Sequence, residues 1–160
     1  MSASSDEAFV LAVLDALKEV RLEAIMVGSV AGLLQGCPVT TQDLDLLVRD
    51  TKANRTKIRA LGRCLGGRPH LIADPSPTLR IDLPAATLDL LFDQISGGLT
   101  FQALRARSLT LSLGGRTARV ACLEDIIASK EAAGRPKDLA QLPILRDTLR
   151  VKKALQKPGG

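Results

Sequence analysis

Two aspartates separated by one leucine, Asp43 and Asp45, stand inside an otherwise apolar stretch of the sequence. Acidic side chains are among those least often buried, and a buried charge without a partner is costly. Because side chains alternate between the two faces of a strand, both carboxylates point the same way while Leu44 and Leu46 point into the core. Two carboxylates on one face repel each other unless a cation lies between them. Oxygen ligands suit a hard divalent cation, so the pair predicts a site for Mg²⁺ (or Mn²⁺).

A glycine-serine pair, Gly28 and Ser29, lies upstream, where the apolar residues 24–27 give way to a short helical pattern at residues 30–35. At the first turn of a helix, free backbone N–H groups and the helix dipole favour a phosphate. Glycine suits this place because the backbone must approach the anion closely. Ser29 could also cap the helix, which is compatible with phosphate binding. A phosphate cradle beside a metal-binding pair is typical of phosphoryl transfer.

The elements that position these residues follow from hydrophobic periodicity and turn residues. Helical patterns occupy residues 5–20, 30–35, 56–65, 99–107 and 123–133, and a further helix begins at Pro136. Strand patterns occupy residues 24–27, 44–48, 78–83 and 87–92, followed by a hairpin over 109–120. Residues 68–77 hold three prolines and are expected to be irregular, and the basic tail, about 152–160, is expected to fray. The chain is predicted to form a single α/β (α+β) domain over residues 1–160.

The composition excludes several classes of protein. Apolar residues make up 46% of the 160 residues, which is too high for a disordered chain. No apolar run approaches the ~18 residues of a membrane helix, and the polar, acidic start of the chain is unlike a signal peptide. Three widely spaced cysteines and a single histidine, His70, disfavour a disulfide framework and a zinc site. We therefore expect a soluble, cytoplasmic protein with no membrane partner.

The charge favours an anionic partner. Twenty-two Lys and Arg residues against seventeen Asp and Glu residues give a net charge of +5, which fits a nucleotide or a nucleic acid. Tyr and Trp are absent and Phe occurs three times, so a surface that stacks bases is not expected. Contacts to RNA would rest on phosphates and shape.

The sequence from Val27 to Leu46 resembles the signature of the nucleotidyltransferase superfamily, the polymerase-beta-like fold. That signature is a hydrophobic residue, G-[GS], nine to thirteen residues, and D-h-[DE]-h. Here Val27-Gly28-Ser29 is followed by thirteen residues and then Asp43-Leu44-Asp45-Leu46. The resemblance implies a mixed central sheet flanked by helices, and two Mg²⁺ ions bound by Asp43, Asp45 and a third carboxylate on a later strand.

Three residues compete for the place of the third carboxylate. Asp89 is the first choice, because it is a single charge inside the apolar stretch "TLDLLF". Asp82 in "RIDL" is the rival, and Asp93 is a weaker option.

The segment "CLEDIIASKEAAGRPKDLAQL" resembles a pattern of small bacterial nucleotidyltransferase-like proteins. These are related to the AbiEii toxins of toxin–antitoxin pairs. The resemblance implies that Lys130 contacts the nucleotide phosphates and that Arg135 and Asp138 complete the site. The chain departs from the longer toxin pattern at Gln141, where a second aspartate could stand. From the residues alone, Lys130 could be an exposed helix residue, and Asp138 could serve the dipole of the helix beginning at Pro136.

Two hypotheses of function follow. In the first, the protein is an enzyme that transfers a nucleotidyl group from an NTP to a hydroxyl. The acceptor would be an RNA 3′ end, such as that of tRNA, or a protein side chain. In the second, the same fold is a non-catalytic module that binds a nucleotide or a partner protein, such as a cognate toxin or antitoxin.

Overall fold

The computed structural model describes residues 3–39, 42–73 and 76–156 of the chain. Within these ranges the helices are α1 (Ala3–Val20), α2 (Gly28–Leu34), α3 (Lys52–Leu65), α4 (Phe101–Arg107), α5 (Leu123–Ala133) and α6 (Pro136–Gln156). The strands are β1 (Ile25–Val27), β2 (Asp43–Val48), β3 (His70–Ala73), β4 (Pro77–Asp82), β5 (Thr87–Phe92), β6 (Gln94–Ile95), β7 (Leu99–Thr100), β8 (Leu109–Leu113) and β9 (Arg116–Val120). None of these helices is long and apolar enough to cross a membrane.

Seven strands form one sheet in the order β3-β4-β5-β2-β1-β9-β8. The sheet is mixed: β2 pairs with β5, and β1 with β9, in parallel, whereas the other neighbours are antiparallel. Strands β6 and β7 form a separate two-stranded ribbon. The predicted α/β fold with a mixed central sheet is therefore confirmed.

The centre of the sheet is the parallel pair of β2 and β5. Leu44 and Leu46 of β2 are fully buried, as are Leu88 and Leu90 of β5. Burying one such side chain stabilises the fold by roughly 1.5–3 kcal/mol, so these leucines fix the two strands against the core. Asp43 and Asp45 alternate with the β2 leucines and are only partly buried, as the sequence pattern predicts.

Two elements begin later or earlier than the sequence pattern indicates. Helix α3 starts at Lys52, because the side chain of Thr51 accepts a hydrogen bond from the backbone N–H of Asn54 at 3.0 Å and caps the helix. Its first turn is polar, so the apolar periodicity did not reveal it. Helix α4 starts only at Phe101, because Thr100 caps it in the same way.

The region predicted to be irregular contains an edge strand. Residues 70–73 form β3 and pair with β4 from His70↔Arg80 to Ala73↔Pro77. The strand is largely exposed at the edge of the sheet, so it has no alternation of buried and exposed residues that periodicity could detect. Pro77 is tolerated because it is the first residue of its strand.

The C-terminal helix extends further than expected. Helix α6 begins at Pro136, as predicted, and continues to Gln156, so the expected fraying from about residue 152 is wrong for residues 152–156. The Lys152 Nζ atom donates a hydrogen bond to Oε1 of Gln35 at 3.0 Å, which holds this part of the helix against α2. Residues 157–160 lie outside the described residues.

Candidate active site

The acidic centre lies where β2 and β5 run side by side. Asp43 and Asp45 are on β2, and Asp89 is the register partner of Asp45 on β5. Partners in a parallel pair project to the same face, so the two carboxylates are neighbours. Burial, together with the negative charges of Asp89 and Asp43, raises the pKa of Asp45 to about 7. The negative charges of Asp43 and Asp89 therefore lie close enough to Asp45 to disfavour its ionisation.

The rivals for the third carboxylate lie elsewhere. Asp82 is at the end of β4, opposite Thr87, where its side chain is 68% exposed and lies 3.6 Å from Nε2 of His70. Asp93 follows β5 in a left-handed conformation, and its Oδ1 accepts a hydrogen bond from the backbone N–H of Asp50 at 2.9 Å. Asp93 therefore shapes a turn, and Asp89 is the carboxylate that lies beside Asp45.

Gly28 begins α2 with a backbone φ of +70°. A Cβ atom at this position would lie 2.3 Å from Oδ2 of Asp45, so any side chain here would force the Asp45 carboxylate to move. The close approach that requires glycine here is thus the approach of the Asp45 carboxylate. Ser29 lies inside the first turn, whereas Val27 is the N-cap residue, so Ser29 does not cap the helix.

A buried polar network surrounds Lys130 of α5. Its Nζ atom donates a hydrogen bond to Oγ of Ser29 at 3.2 Å, and the Ser29 hydroxyl donates to Oε1 of Gln141 at 3.0 Å. The same Nζ lies 3.5 Å from Oδ1 of Asp138, whose other carboxylate oxygen accepts a hydrogen bond from Nε of Arg135 at 2.7 Å. Lys130 is 9% exposed, so the alternative that it is an exposed helix residue is wrong.

The pKa values follow from this network. Burial lowers the pKa of Lys130, while the charges of Asp138 and Asp45 act in the opposite direction. Burial favours a higher pKa for Asp138, but the hydrogen bond and charge of Arg135, together with Lys130, hold the pKa below its usual value. Lys130 and Asp138 thus stabilise each other as a charged pair inside the protein.

Two further residues of the site were not foreseen from the sequence. Arg80 of β4 forms a two-pronged ion pair with Asp89, with Nε 2.8 Å from Oδ1 and Nη2 2.9 Å from Oδ2. The short connection between two predicted strands, 78–83 and 87–92, could have indicated that they pair and bring Arg80 opposite Asp89. Gln141 was noted only as a departure from a pattern, whereas it binds the Ser29 hydroxyl.

The fit to a divalent cation is partial. The oxygens of Asp43 and Asp45 are suitable donors, and the repulsion that raises the Asp45 pKa is the kind that a cation relieves. The Asp89 carboxylate, however, is held by Arg80. Within the described ranges, no three His, Cys, Asp or Glu side chains are arranged to hold a metal ion.

One open cleft of about 670 Å³ joins the acidic centre to the Lys130 network. It is lined by Gly28, Asp45, Asp89, Lys130, Arg135 and Asp138, together with residues of β4 and β5 and of the segment 94–98. Its volume lies in the range of small-molecule sites. The structure therefore brings together six of the eight residues that the sequence singled out, and Asp43 and Ser29 adjoin this group through Asp45 and Lys130.

Comparisons with known proteins support the fold. No protein-family model and no curated protein matches the chain. Among solved structures, the antibiotic-resistance factor ANT(2'')-Ia is similar with a TM-score of 0.68 and 18% identity, over 95% of this chain and 88% of that one. The lincosamide antibiotic adenylyltransferase LnuA is similar with a TM-score of 0.63 and 14% identity, over 89% and 96%. The Thermotoga maritima protein TM1012 is similar with a TM-score of 0.60 and 16% identity, over 94% and 96%. The chain therefore has the fold of the nucleotidyltransferases.

Proposed function

We propose that the protein is a metal-dependent nucleotidyltransferase that transfers a nucleotidyl group from an NTP to a hydroxyl acceptor. The observation that supports this most is the cleft in which the Asp45–Asp89 pair and the buried Lys130 meet. A fold alone does not determine an activity, so the proposal rests on this site. The fold adds weight, because one similar structure is that of an adenylyltransferase and another contains adenylyl-2''-tobramycin.

Each residue has a distinct task in the proposed reaction. Asp43 and Asp45 would hold a divalent cation, Mg²⁺ or Mn²⁺, which lowers the pKa of a bound hydroxyl and neutralises phosphate charge. Lys130 would place its ammonium group against the phosphates, where negative charge develops in the transition state. Asp138 and Ser29 hold this ammonium group in place. Because these contacts to Lys130 are formed before substrate arrives, its ammonium group needs little reorganisation.

The acceptor in this proposal is a hydroxyl of RNA, of a protein or of a small molecule. The RNA and protein acceptors follow from the resemblance of the Lys130 segment to the AbiEii-related proteins, and tRNA is one such RNA. The same resemblance supports a role beside a cognate toxin or antitoxin. The third follows from the similar structures, one of which is bound to lincomycin and another to adenylyl-2''-tobramycin. A cytoplasmic location belongs to the same proposal, because NTPs and tRNA are its substrates.

A transfer assay tests the proposal. Purified protein is incubated with each α-labelled NTP and Mg²⁺ or Mn²⁺, with bulk tRNA, protein extract, tobramycin or lincomycin as the acceptor. We expect label to join one class of acceptor with the native protein and not with Asp45→Asn. Absence of transfer with every NTP and acceptor would contradict the enzymatic proposal.

A second candidate, a non-catalytic binding module, is favoured by one observation. The carboxylate of Asp89 is paired with Arg80, so a metal centre of three carboxylates would require a rearrangement. In this case the protein would bind an NTP through Lys130 with no turnover, and binding would be indifferent to Asp45→Asn. Nucleotide binding measured by calorimetry, beside the transfer assay, separates the two candidates.

A further inference from the structure

The acidic centre already contains a cation that belongs to the protein, the guanidinium group of Arg80. Arg80 and Asp89 are register partners on β4 and β5, so their side chains emerge side by side. The guanidinium contacts both carboxylate oxygens, at 2.8 and 2.9 Å. This planar two-pronged contact is the geometry that makes arginine–carboxylate pairs strong.

The burial of this pair distinguishes it from an ordinary surface ion pair. The Asp89 side chain is 11% exposed and that of Arg80 is 34% exposed. Exposed pairs contribute little to stability, whereas a buried carboxylate that loses its partner is costly. The pKa of Arg80 is raised above its ordinary value, first by the hydrogen bond to Asp89 and further by the charges of Asp43 and Asp82. Arg80 therefore neutralises Asp89 and also lies within reach of the charges of Asp43 and Asp82.

On the basis of the proposed metal-dependent function, we propose that Arg80 and a divalent cation compete for the Asp89 carboxylate. Arg80 neutralises Asp89 while no metal is bound, and a cation held by Asp43 and Asp45 gains Asp89 only when the guanidinium releases it. Arg80 is thus a positioning residue that lowers the affinity of the centre for metal and keeps the empty site stable.

The structure offers a place for the released guanidinium. Asp82 lies two residues after Arg80 on β4, and residues two apart on a strand share a face. The Asp82 side chain is 68% exposed, and its charge already attracts Arg80. Exchange of partner from Asp89 to Asp82 would move the cationic group outward without leaving it unpaired.

The test is a Mn²⁺ titration of the nucleotide-free protein, in which the electron paramagnetic resonance signal measures free Mn²⁺. Arg80→Met keeps an unbranched side chain and removes the cation. We expect it to bind Mn²⁺ about tenfold more tightly than the native protein, which corresponds to about 1.4 kcal/mol. Arg80→Lys keeps the charge but not the planar fork, so we expect a gain of about threefold.

Arg107→Met is the matched control. Arg107 forms a comparable two-pronged pair with the buried Asp125, at 3.0 Å, and neither residue lines the cleft. Its loss should lower the melting temperature, as the loss of Arg80 should, but leave the Mn²⁺ affinity unchanged. Damage to the fold would weaken metal binding, so a gain of affinity confined to the Arg80 variants cannot come from a structural role alone.

The outcomes separate this inference from the proposed function. If the Arg80 variants bind Mn²⁺ more tightly than the native protein, the inference is supported. This includes the case in which the variants bind Mn²⁺ and the native protein binds none. If the native protein binds Mn²⁺, Asp45→Asn abolishes binding, and the Arg80 variants bind as the native protein does or more weakly, the inference is overturned and the proposed metal site stands. If neither the native protein nor the variants bind Mn²⁺, both are overturned. Should Arg80→Met not fold, Arg80→Lys carries the same comparison.

Discussion

Gly28 and Asp45 approach each other so closely that a Cβ atom on Gly28 would lie 2.3 Å from the Oδ2 atom of Asp45. The backbone of the first turn of α2 therefore packs directly against the Asp45 carboxylate of β2. The positive φ of Gly28 adds a second reason for glycine at this position. The geometry of the acidic centre depends on the absence of a side chain at residue 28.

Gly28→Ala should destabilise the protein by about 2–5 kcal/mol, since it combines a left-handed backbone with a clash in a packed site. The matched control is Gly36→Ala, where φ is +96° and no atom lies within 4 Å of the new Cβ. Gly36→Ala should lower the free energy of unfolding only by the cost of a left-handed backbone, about 1–2 kcal/mol. Urea unfolding of both variants measures the difference, and equal losses would show that the contact with Asp45 is unimportant.

The stability of the metal-free protein should depend on Asp45 ionisation. Its pKa is raised from 3.8 to about 7 on folding, so the folded state binds a proton more readily than the unfolded state between these values. The contribution of Asp45 to the free energy of unfolding is thus fully present below about pH 4, and it is lost as the pH rises through about 7. Its full size is about 4 kcal/mol at most.

Asp45→Asn should remove this pH dependence and be as stable as the native protein or more so at pH 8 without metal. Chemical unfolding at pH 5 and pH 8, with and without the substitution, provides the measurement. If the metal-free variant is much less stable than the native protein at both pH values, Asp45 has a structural role instead.

Mg²⁺ or Mn²⁺, especially together with an NTP, should raise the melting temperature of the native protein. A ligand that binds only the folded state stabilises it by about 2.7 kcal/mol when its free concentration is a hundredfold above its dissociation constant. Asp45→Asn should lose most of this effect, because it removes one of the two carboxylates proposed to hold the cation. A native melting curve that is indifferent to metal and nucleotide would count against the enzymatic proposal.

Lys130→Met should weaken NTP binding and slow the transfer by about 10²–10³-fold, because it removes the buried ammonium group that is proposed to contact the phosphates. The matched control is Lys137→Met: Lys137 is exposed on α6, and its positive charge, like that of Lys130, acts to lower the pKa of Asp45. Its loss should change the rate by no more than about threefold, in line with a screened surface charge. Equal effects in the two variants would mean that Lys130 acts through its charge at a distance, and not by contact.

The sequence was informative about features that depend on a single strand, such as which of its side chains share a face. Alternation along β2 predicted that Asp43 and Asp45 share a face and that Leu44 is buried, because these relations need only the period of a strand. Arg80 was missed because its role depends on which strands pair and in what register, and that is decided by contacts distant in the sequence. The edge strand β3 was missed because an exposed strand needs no apolar alternation.

Among the site residues, those with an unusual local sequence could be identified, whereas contacts between distant segments could not. Asp89 could be chosen over Asp82 because a charge among leucines indicates a special environment. The contact of Ser29 with Gln141 could not be predicted, because the resemblance places Ser29 and Asp138 in one site but does not indicate which side chain of α6 reaches the Ser29 hydroxyl.

The hydrogen bond between Ser29 and Gln141 joins residues 112 positions apart. During synthesis the first of these residues leaves the ribosome long before the second exists. Domains with such distant contacts fold slowly, since a long loop must close before the contact forms. The nascent chain can therefore pair β1 with β2 early, but the polar network around Lys130 cannot close until the ribosome has passed Gln141. Any nucleotide binding that depends on this network is withheld until Gln141 has left the ribosome.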